Sequence, residues 1–545
     1  MFPRVHLLTR LVCLLVFAAA LMANNLLVLP DGVTSQTVQA LTANPVSAAG
    51  TYESGPGTVI AVIPAPNGQK FYTISNTANG AVVVTDANFV VLSRSGAWSD
   101  PATAAAISPD GRRLLVTAGP LRIIDTTSDQ VISTPLTGSL ALDVAVDNSS
   151  SYALVLSATP KRLYKVNLNS NTVVATLDVQ GEPTGVSASP NGLFYVSSRN
   201  EILVVDGETM TVVANIILNG QPMKIYFSPD GSYGVATNDL LPTGVSVWVF
   251  DLTANSIARS LPVLQAGGGP VKFRPRVHVI NNERALLTSN VSPVIYDIEL
   301  NGSGVTTMLV KGIGSPTNVK AIATSGEVPA AKFLYYLTDK DVLRVDLSNN
   351  QLSGTPYNLP APGQSLEYAA PASMATPADA IMYNNLQSIP DGGAFKPIIL
   401  KVTDANGLPV FGAAVTFQSL AGVTFENASE TTNKDGLAQA LVIPGEVVGQ
   451  IPVTVTVGGV LTRRFDLNVG AGGGGGITGG LAIVSGNGQL VNREFGFVKP
   501  FVVRLTNADG NPIADSTVSW SLVEGEGGLV TGQSTTDADG LAQNF

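Results

Sequence analysis

The stretch VKFRPRVHVI places Lys272, Arg274, Arg276 and His278 at every second position. On a regular strand that spacing puts all four on one face. Arg and Lys hold carboxylate or phosphate through charge-assisted hydrogen bonds, so such an arc suits an anionic ligand. It stands out because the chain as a whole is acidic, with 30 Lys and Arg against 40 Asp and Glu and a net charge of -10. A plainer alternative stays open: a basic edge strand neutralised by nearby Asp and Glu, or one whose charges discourage pairing with other sheets.

Other catalytic or ligating sets are thin. The chain has two histidines, His6 and His278, and His6 lies in the N-terminal leader. One remaining histidine permits a Ser-His-Asp set, but no G-x-S-x-G elbow accompanies it. Histidine-rich zinc or copper sites are excluded on the same count. The single cysteine, Cys13, also falls in the leader, so disulfides, thiol chemistry and thiolate metal sites are not expected in the mature chain. Asp or Asn recurs at 86, 125, 167, 206, 251, 297 and 346. These residues read as hairpin caps bonding the backbone two residues on, since no calcium-loop ladder of carboxylates surrounds them. No cofactor is implied. The acidic balance also argues against nucleic acid as a partner.

The elements that would position the basic strand are short. In GEPTGVSASPNGLFYVSSRNEILVVDGETMTVVANIILNGQPMKIYFSPDG, runs of about five alternating apolar residues stop at Asn-Gly or Asp-Gly turns. One unit is a four-stranded antiparallel sheet that must stack on its neighbours to bury both faces. Two marks count the units. The inner hairpin falls at Pro66, Pro109, Asn148, Pro190, Pro229, Asn281 and near Val328, and the closing Asp or Asn at the seven positions from 86 to 346. Each mark occurs seven times, at steps of 39 to 52 residues. A period in the forties with four strands per unit signals a β-propeller, and seven blades are expected over 58–370. On this reading the basic strand is the innermost strand of the sixth repeat. The equivalent rung runs through Ala61, Ala104, Asp143, Gly185, Lys224 and then Lys272 or Arg276, so a cationic arc with Lys224 would stand opposite Asp143 at the channel mouth.

Segments such as YALVLSATPKRLYKVNLNSNTVVATLDVQGEPTG resemble the YVTN family of β-propeller repeats of exported microbial surface proteins. The match is close in the third and fourth repeats and looser in the sixth and seventh. It implies fold far more than function.

The remaining chain divides by composition. Arg4, His6 and Arg10 precede an apolar run from Leu11 to Ala23, which reads as a signal peptide over 1–23; a membrane span needs roughly 20 apolar residues, and none is expected in the mature chain. Residues 24–57 form a polar lead-in able to add an edge strand. After a linker at 371–379, KVTDANGLPVFGAAVTFQS and TTNKDGLAQALV open a module at 380–469. A Gly-rich linker at 470–480 comes next, and the pattern returns at 481–545 as RLTNADGNPIADSTVSWSL and TTDADGLAQNF. Alternating strands with Asx-Gly turns at about 100 residues point to Ig-like β-sandwiches. Asp404, Asn406, Gly407, Pro409, Val410, Ala413, Val415 and Phe417, echoed by Asn507, Asp509 and Gly510, resemble the bacterial group 1 Ig-like domains of invasin and intimin type. That resemblance implies spacer modules. The second copy is expected to be incomplete, because only three residues follow Ala542 where 31 carry the first from Ala438 to Val469.

The expected whole is all-β: a seven-bladed propeller followed by two β-sandwich domains, the second truncated. The expected function is an exported cell-surface or extracellular binding protein for a protein or glycan, with Ig-like modules as spacers. The alternative is an extracytoplasmic enzyme, lactonase-like or resembling a quinone-dependent dehydrogenase, because such enzymes also use propeller channel mouths.

Overall fold

The computed structural model describes residues 25–30, 32, 35–238, 246–262, 273–289, 292–302, 304–369, 373–470, 480–485, 500–506, 512–520 and 529–544. The leader over 1–23, Lys272 and most of the Gly-rich linker lie outside them. Among the described residues every regular element is a strand, and no helix is long and apolar enough to cross a membrane.

Each of the seven repeats from Thr58 forms one antiparallel sheet, and an eighth sheet completes the ring. Blade 1 pairs Asn25–Leu29, Thr37–Ala43 and Val46–Glu53 with Ser365–Ala369, which returns from the far end of the repeat region to lie antiparallel beside Asn25–Leu29. Blades 2 to 8 begin at the inner strands Val59–Pro64, Ala104–Ile107, Leu140–Val146, Pro183–Ala188, Tyr226–Phe227, Phe273–Val279 and Ala321–Thr324. Each inner strand meets the next, and Ser365–Ala369 contacts both Val59–Pro64 and Ala321–Thr324, so the circle closes. The expected seven-bladed ring is therefore eight-bladed, and the lead-in supplies three strands rather than one edge.

The cause is visible in NLLVL. All five residues are buried, and they divide by parity: Leu27 and Leu29 pack with Val59, Val62 and Phe71 of blade 2, while Leu26 and Val28 pack with Tyr335, Leu337 and Val342 of blade 8. A strand buried on both faces reads as a continuous apolar run and gives no alternation to detect. Blade 1 also has no inner hairpin to count, because its innermost strand Ser365–Ala369 comes from the far end of the repeat region; its Pro30-Asp31-Gly32 instead follows the second strand, Asn25–Leu29.

The marks themselves have a local mechanism. In Ser-Pro-Asp-Gly of blade 3, the Ser108 hydroxyl donates to Asp110 Oδ1 at 2.5 Å, and the same oxygen accepts the Arg112 N–H at 3.0 Å. Gly111 takes a φ of 76°, which costs a glycine little. Blade 6 repeats the pattern with Ser228, Asp230 and Gly231. Most closing residues cap as expected: Asp125 Oδ1 accepts the N–H groups of Thr127 and Ser128 at 3.0 Å each, and Asp206 and Asn167 do the same in their own blades. Asp297 does not. It lies inside the strand Ile295–Glu299 and receives Arg284 through both oxygens at 2.9 Å.

The first sandwich packs one sheet of Asp379–Tyr383, Ile398–Thr403, Leu437–Ile443 and Thr424–Glu426 on another containing Ala414–Gln418, Gly449–Val457 and Leu461–Val469. Its core holds Ile398, Leu400, Val402, Phe417, Val453, Val455 and Phe465. The second copy repeats the pairings. Gly480–Ser485, Phe501–Thr506 and Leu541–Asn544 form one sheet, and Thr517–Ser519 pairs with Gln533–Thr535.

Because blade 1 joins both ends of the repeat region, it should report on the whole ring. Leu27→Ala is expected to cost about 2–5 kcal/mol and to lower the melting temperature of the propeller as one transition in calorimetry. Separate melting of blade 1 would show that the ring does not unfold cooperatively.

Candidate functional site

Contacts at both ends of the channel hold neighbouring blades together. At the end carrying the inner hairpins, the Asp110 N–H donates to Ser150 Oγ at 2.9 Å and the Asp230 N–H to Asn282 Oδ1 at 3.1 Å, each reaching the next blade. Toward the other end, hydroxyls do this work: Thr103 Oγ1 donates to the Ala141 carbonyl at 3.2 Å, and Thr184 Oγ1 to the Pro222 carbonyl at 2.6 Å.

Midway along the channel the rung anticipated from the sequence brings two of its charged residues together. Lys224 Nζ lies 2.8 Å from Asp143 Oδ1, across the intervening strand of blade 5. Gly185 makes the reach possible, since a Cβ there would stand 3.0 Å from Lys224 Cγ and 3.3 Å from Asp143 Oδ2. Asp143 is 5% exposed and also accepts the N–H groups of Val144 and Val186, both at 2.9 Å. Its carboxylate is saturated, so it joins three blades rather than waiting for a substrate.

The basic strand does not keep the regularity assumed for it. Pairing runs Phe273 to Ser289 and then Val277 to Leu287, with a register shift between. The ladder is therefore interrupted between Phe273 and Val277, around Pro275. Lys272 lies outside the described residues, and of Arg274 and Arg276 only the backbone in Phe273–Val279 is described. His278 is half-buried opposite Leu286. Among the described residues no three His, Cys, Asp or Glu gather as a metal-ligand set. A shallow cleft of ≈ 170 Å³ lies outside the channel, between blades 2 and 3, with Arg94, Trp98, Asp129 and Val131 in its wall.

The hairpin mouth is covered by the first sandwich. Carbonyls of four consecutive hairpins accept from it: Pro109 from the Lys434 N–H at 2.8 Å, Asn148 from Asn433 Nδ2 at 2.8 Å, Asn191 from Asn384 Nδ2 at 3.1 Å, and Pro229 from the Tyr383 hydroxyl. Blade 8 joins from across the ring, where the Val328 N–H donates to the Gly407 carbonyl at 2.7 Å and Lys332 Nζ to the Asn406 carbonyl at 2.8 Å. A Cβ at Gly407 would stand 2.7 Å from the Val328 carbonyl oxygen, so only glycine allows this approach. Blades 4 and 8 face each other in an eight-membered ring, and the module therefore straddles the opening.

Sequence reasoning missed this interface although a signal was present. The strand IILKVT puts Ile398, Leu400 and Val402 into the sandwich core, which leaves Ile399 on the outer side of an ordinary module. Ile399 is 1% exposed and clusters with Tyr383 and Leu437 against the propeller. It packs near Gly192 of blade 5, and Tyr383 near Gly231 of blade 6. Apolar residues on both faces of a sandwich sheet mark a second partner.

Titratable groups line the same interface. Burial pushes the Glu430 carboxyl up, the Gln439 N–H opposes this at 2.7 Å, and Asp147 of blade 4 adds to it. Burial likewise pushes up Asp147, against N–H donors from Ser149 and Tyr152. Burial also acts to raise Asp435, but the Lys434 ammonium outweighs it and the carboxyl sits below its usual range.

Two outcomes are expected. Asp143→Ala should cost about 1–3 kcal/mol by stranding the Val186 N–H and the Lys224 amine, while the Asp143→Ala, Lys224→Met double change should cost less; chemical denaturation of the three proteins checks this. For the interface, Glu430 and Asp147 bind protons more readily folded than unfolded. Their contribution therefore grows as pH falls from neutrality toward the ordinary 4.5 and 3.8. Asp435 works in the opposite sense, its contribution being lost as pH falls below 3.8. Glu430→Gln should raise the denaturation midpoint at neutral pH and flatten the rise on mild acidification.

The first sandwich matches the Bacterial Ig-like domain (group 1) family over residues 380–468. No curated protein sequence matches the chain. Among solved structures, the chain is similar to dihydro-heme d1 dehydrogenase NirN in complex with DHE, at 18% identity and a TM-score of 0.50 over 62% of this chain and 74% of that one. It is also similar to hydrazine synthase of Kuenenia stuttgartiensis, at 19% identity and a TM-score of 0.37 over 45% of this chain and 77% of that one. At such identity these likenesses concern the fold alone. The chain carries a group 1 bacterial Ig-like domain behind an all-β propeller.

Proposed function

We propose that this chain is an exported, non-enzymatic binding protein of the cell surface, whose propeller takes a protein or glycan partner at its uncovered mouth. The observation that carries the reading is the placement of the first Ig-like module across the hairpin mouth, with bonds to blades 3, 4, 5, 6 and 8. A partner of the channel must then approach from the opposite end. The group 1 Ig-like match is typical of bacterial surface proteins and supports that setting. On this reading the first module is a cap, and the second module alone acts as a spacer.

The channel supports binding over catalysis. Across blades 2 to 6 the rung is Ala61, Ala104, Asp143, Gly185 and Lys224, and its charged pair is spent on neighbouring blades. The basic strand of blade 7 stays a proposed contributor of Lys272, Arg274, Arg276 and His278 to an anionic ligand at the mouth.

The test is to display the full chain and probe it with glycan arrays and extracellular matrix proteins, then repeat with Lys161→Glu and Arg199→Glu, exposed residues at the uncovered mouth. Binding that weakens with these changes is expected. Turnover of lactones or alcohols, with or without calcium and quinone, would overturn the reading in favour of an enzyme.

A further inference from the structure

Lys401 shares the outward face of Ile398–Thr403 with Ile399, because alternate side chains of a strand point the same way. Its lateral neighbours are Ile381 and Leu437. Contacts to the propeller surround it. Asn433 and Lys434 rest on blades 3 and 4 to one side, Ile399 on blade 5 at one end, Tyr383 on blade 6 to the other side, and Asn406 and Gly407 on blade 8 at the opposite end. The point enclosed by those blades is the axis of the ring, so Lys401 stands at the covered end of the channel.

Burial pushes the pKa of this amine down, although part of the side chain stays accessible. Among the described residues none lies within hydrogen-bond or ion-pair distance of its Nζ. The carboxylate that acts on it, Asp435, is held by Lys434 through both oxygens at 2.7 Å. Two ammonium groups thus share one carboxylate there. Asp147 and Glu430, at the rim of the same interface, are turned to backbone N–H donors, and burial drives both toward the neutral form. An apolar side chain would fill the Lys401 position at lower cost than an amine without a bonded partner.

We infer that the covered end of the channel binds a small oxyanion, a carboxylate or phosphate group, received by Lys401 on the channel axis. The site is a second one, at the opposite end from the mouth proposed for a macromolecular partner, and does not depend on that proposal.

The test uses the full chain, with calorimetric titration and thermal unfolding in sodium phosphate and in sodium succinate, ionic strength being held constant with sodium chloride. Saturable binding of at least one anion is expected, and the stronger of the two identifies the group as phosphate or carboxylate. Lys401→Met should raise the melting temperature without anion and weaken binding about tenfold or more. Asp435→Asn, which removes the competing negative charge, should tighten binding. If neither anion binds saturably, or if Lys401→Met binds as the parent does, the inference fails.

Discussion

The pairing of Asn25–Leu29 with Ser365–Ala369 is the interaction on which the molecule depends. Every blade is a sheet too thin to bury its own faces, so each relies on two neighbours. In a ring that need is met only when first and last units touch. Blade 1 meets it with strands from both ends of the repeat region, and its inner residues divide between blades 2 and 8. The channel rung, the hairpin circle and the platform for the Ig-like module all presuppose that closure.

The repeats were legible because the turn chemistry is local. The Ser108 and Asp110 side chains and the Gly111 N–H make their hydrogen bonds within five residues, so the motif survives wherever the unit does. The lead-in sheet was illegible for the converse reason: its partner strand is more than 300 residues away, and a run buried on both faces carries no period. Asp143 and Lys224 were legible as rung residues, with Lys224 in a cationic arc opposite Asp143, but their direct pairing was not. Their purpose was not legible, because saturation by the Val186 N–H depends on where a neighbouring blade sits. The basic strand was read as regular, and the register shift around Pro275 was not legible in its alternation.

The docking of the first sandwich changes what its family resemblance implies. A spacer needs one buried face per sheet. This module buries a second, through Ile399, Tyr383 and Leu437, and meets the backbone carbonyls of Pro109, Asn148, Asn191 and Pro229 in four consecutive hairpins. Blades 3 to 6 thus supply acceptors to donors on the sandwich, while at blade 8 the direction reverses and Val328 and Lys332 donate to it.

One consequence of blade 1 concerns the order of synthesis. Asn25–Leu29 leaves the ribosome early, yet its edge stays unpaired until residues 365–369 emerge. For that interval the nascent chain is an open arc of stacked sheets with an apolar strand, NLLVL, exposed at its leading end. The partner strand and the linker to the sandwich then emerge within a few residues of each other. Closure of the circle therefore comes before capping of its mouth, because the residues that reach the hairpins, from Tyr383 to Lys434, emerge only after Ser365–Ala369.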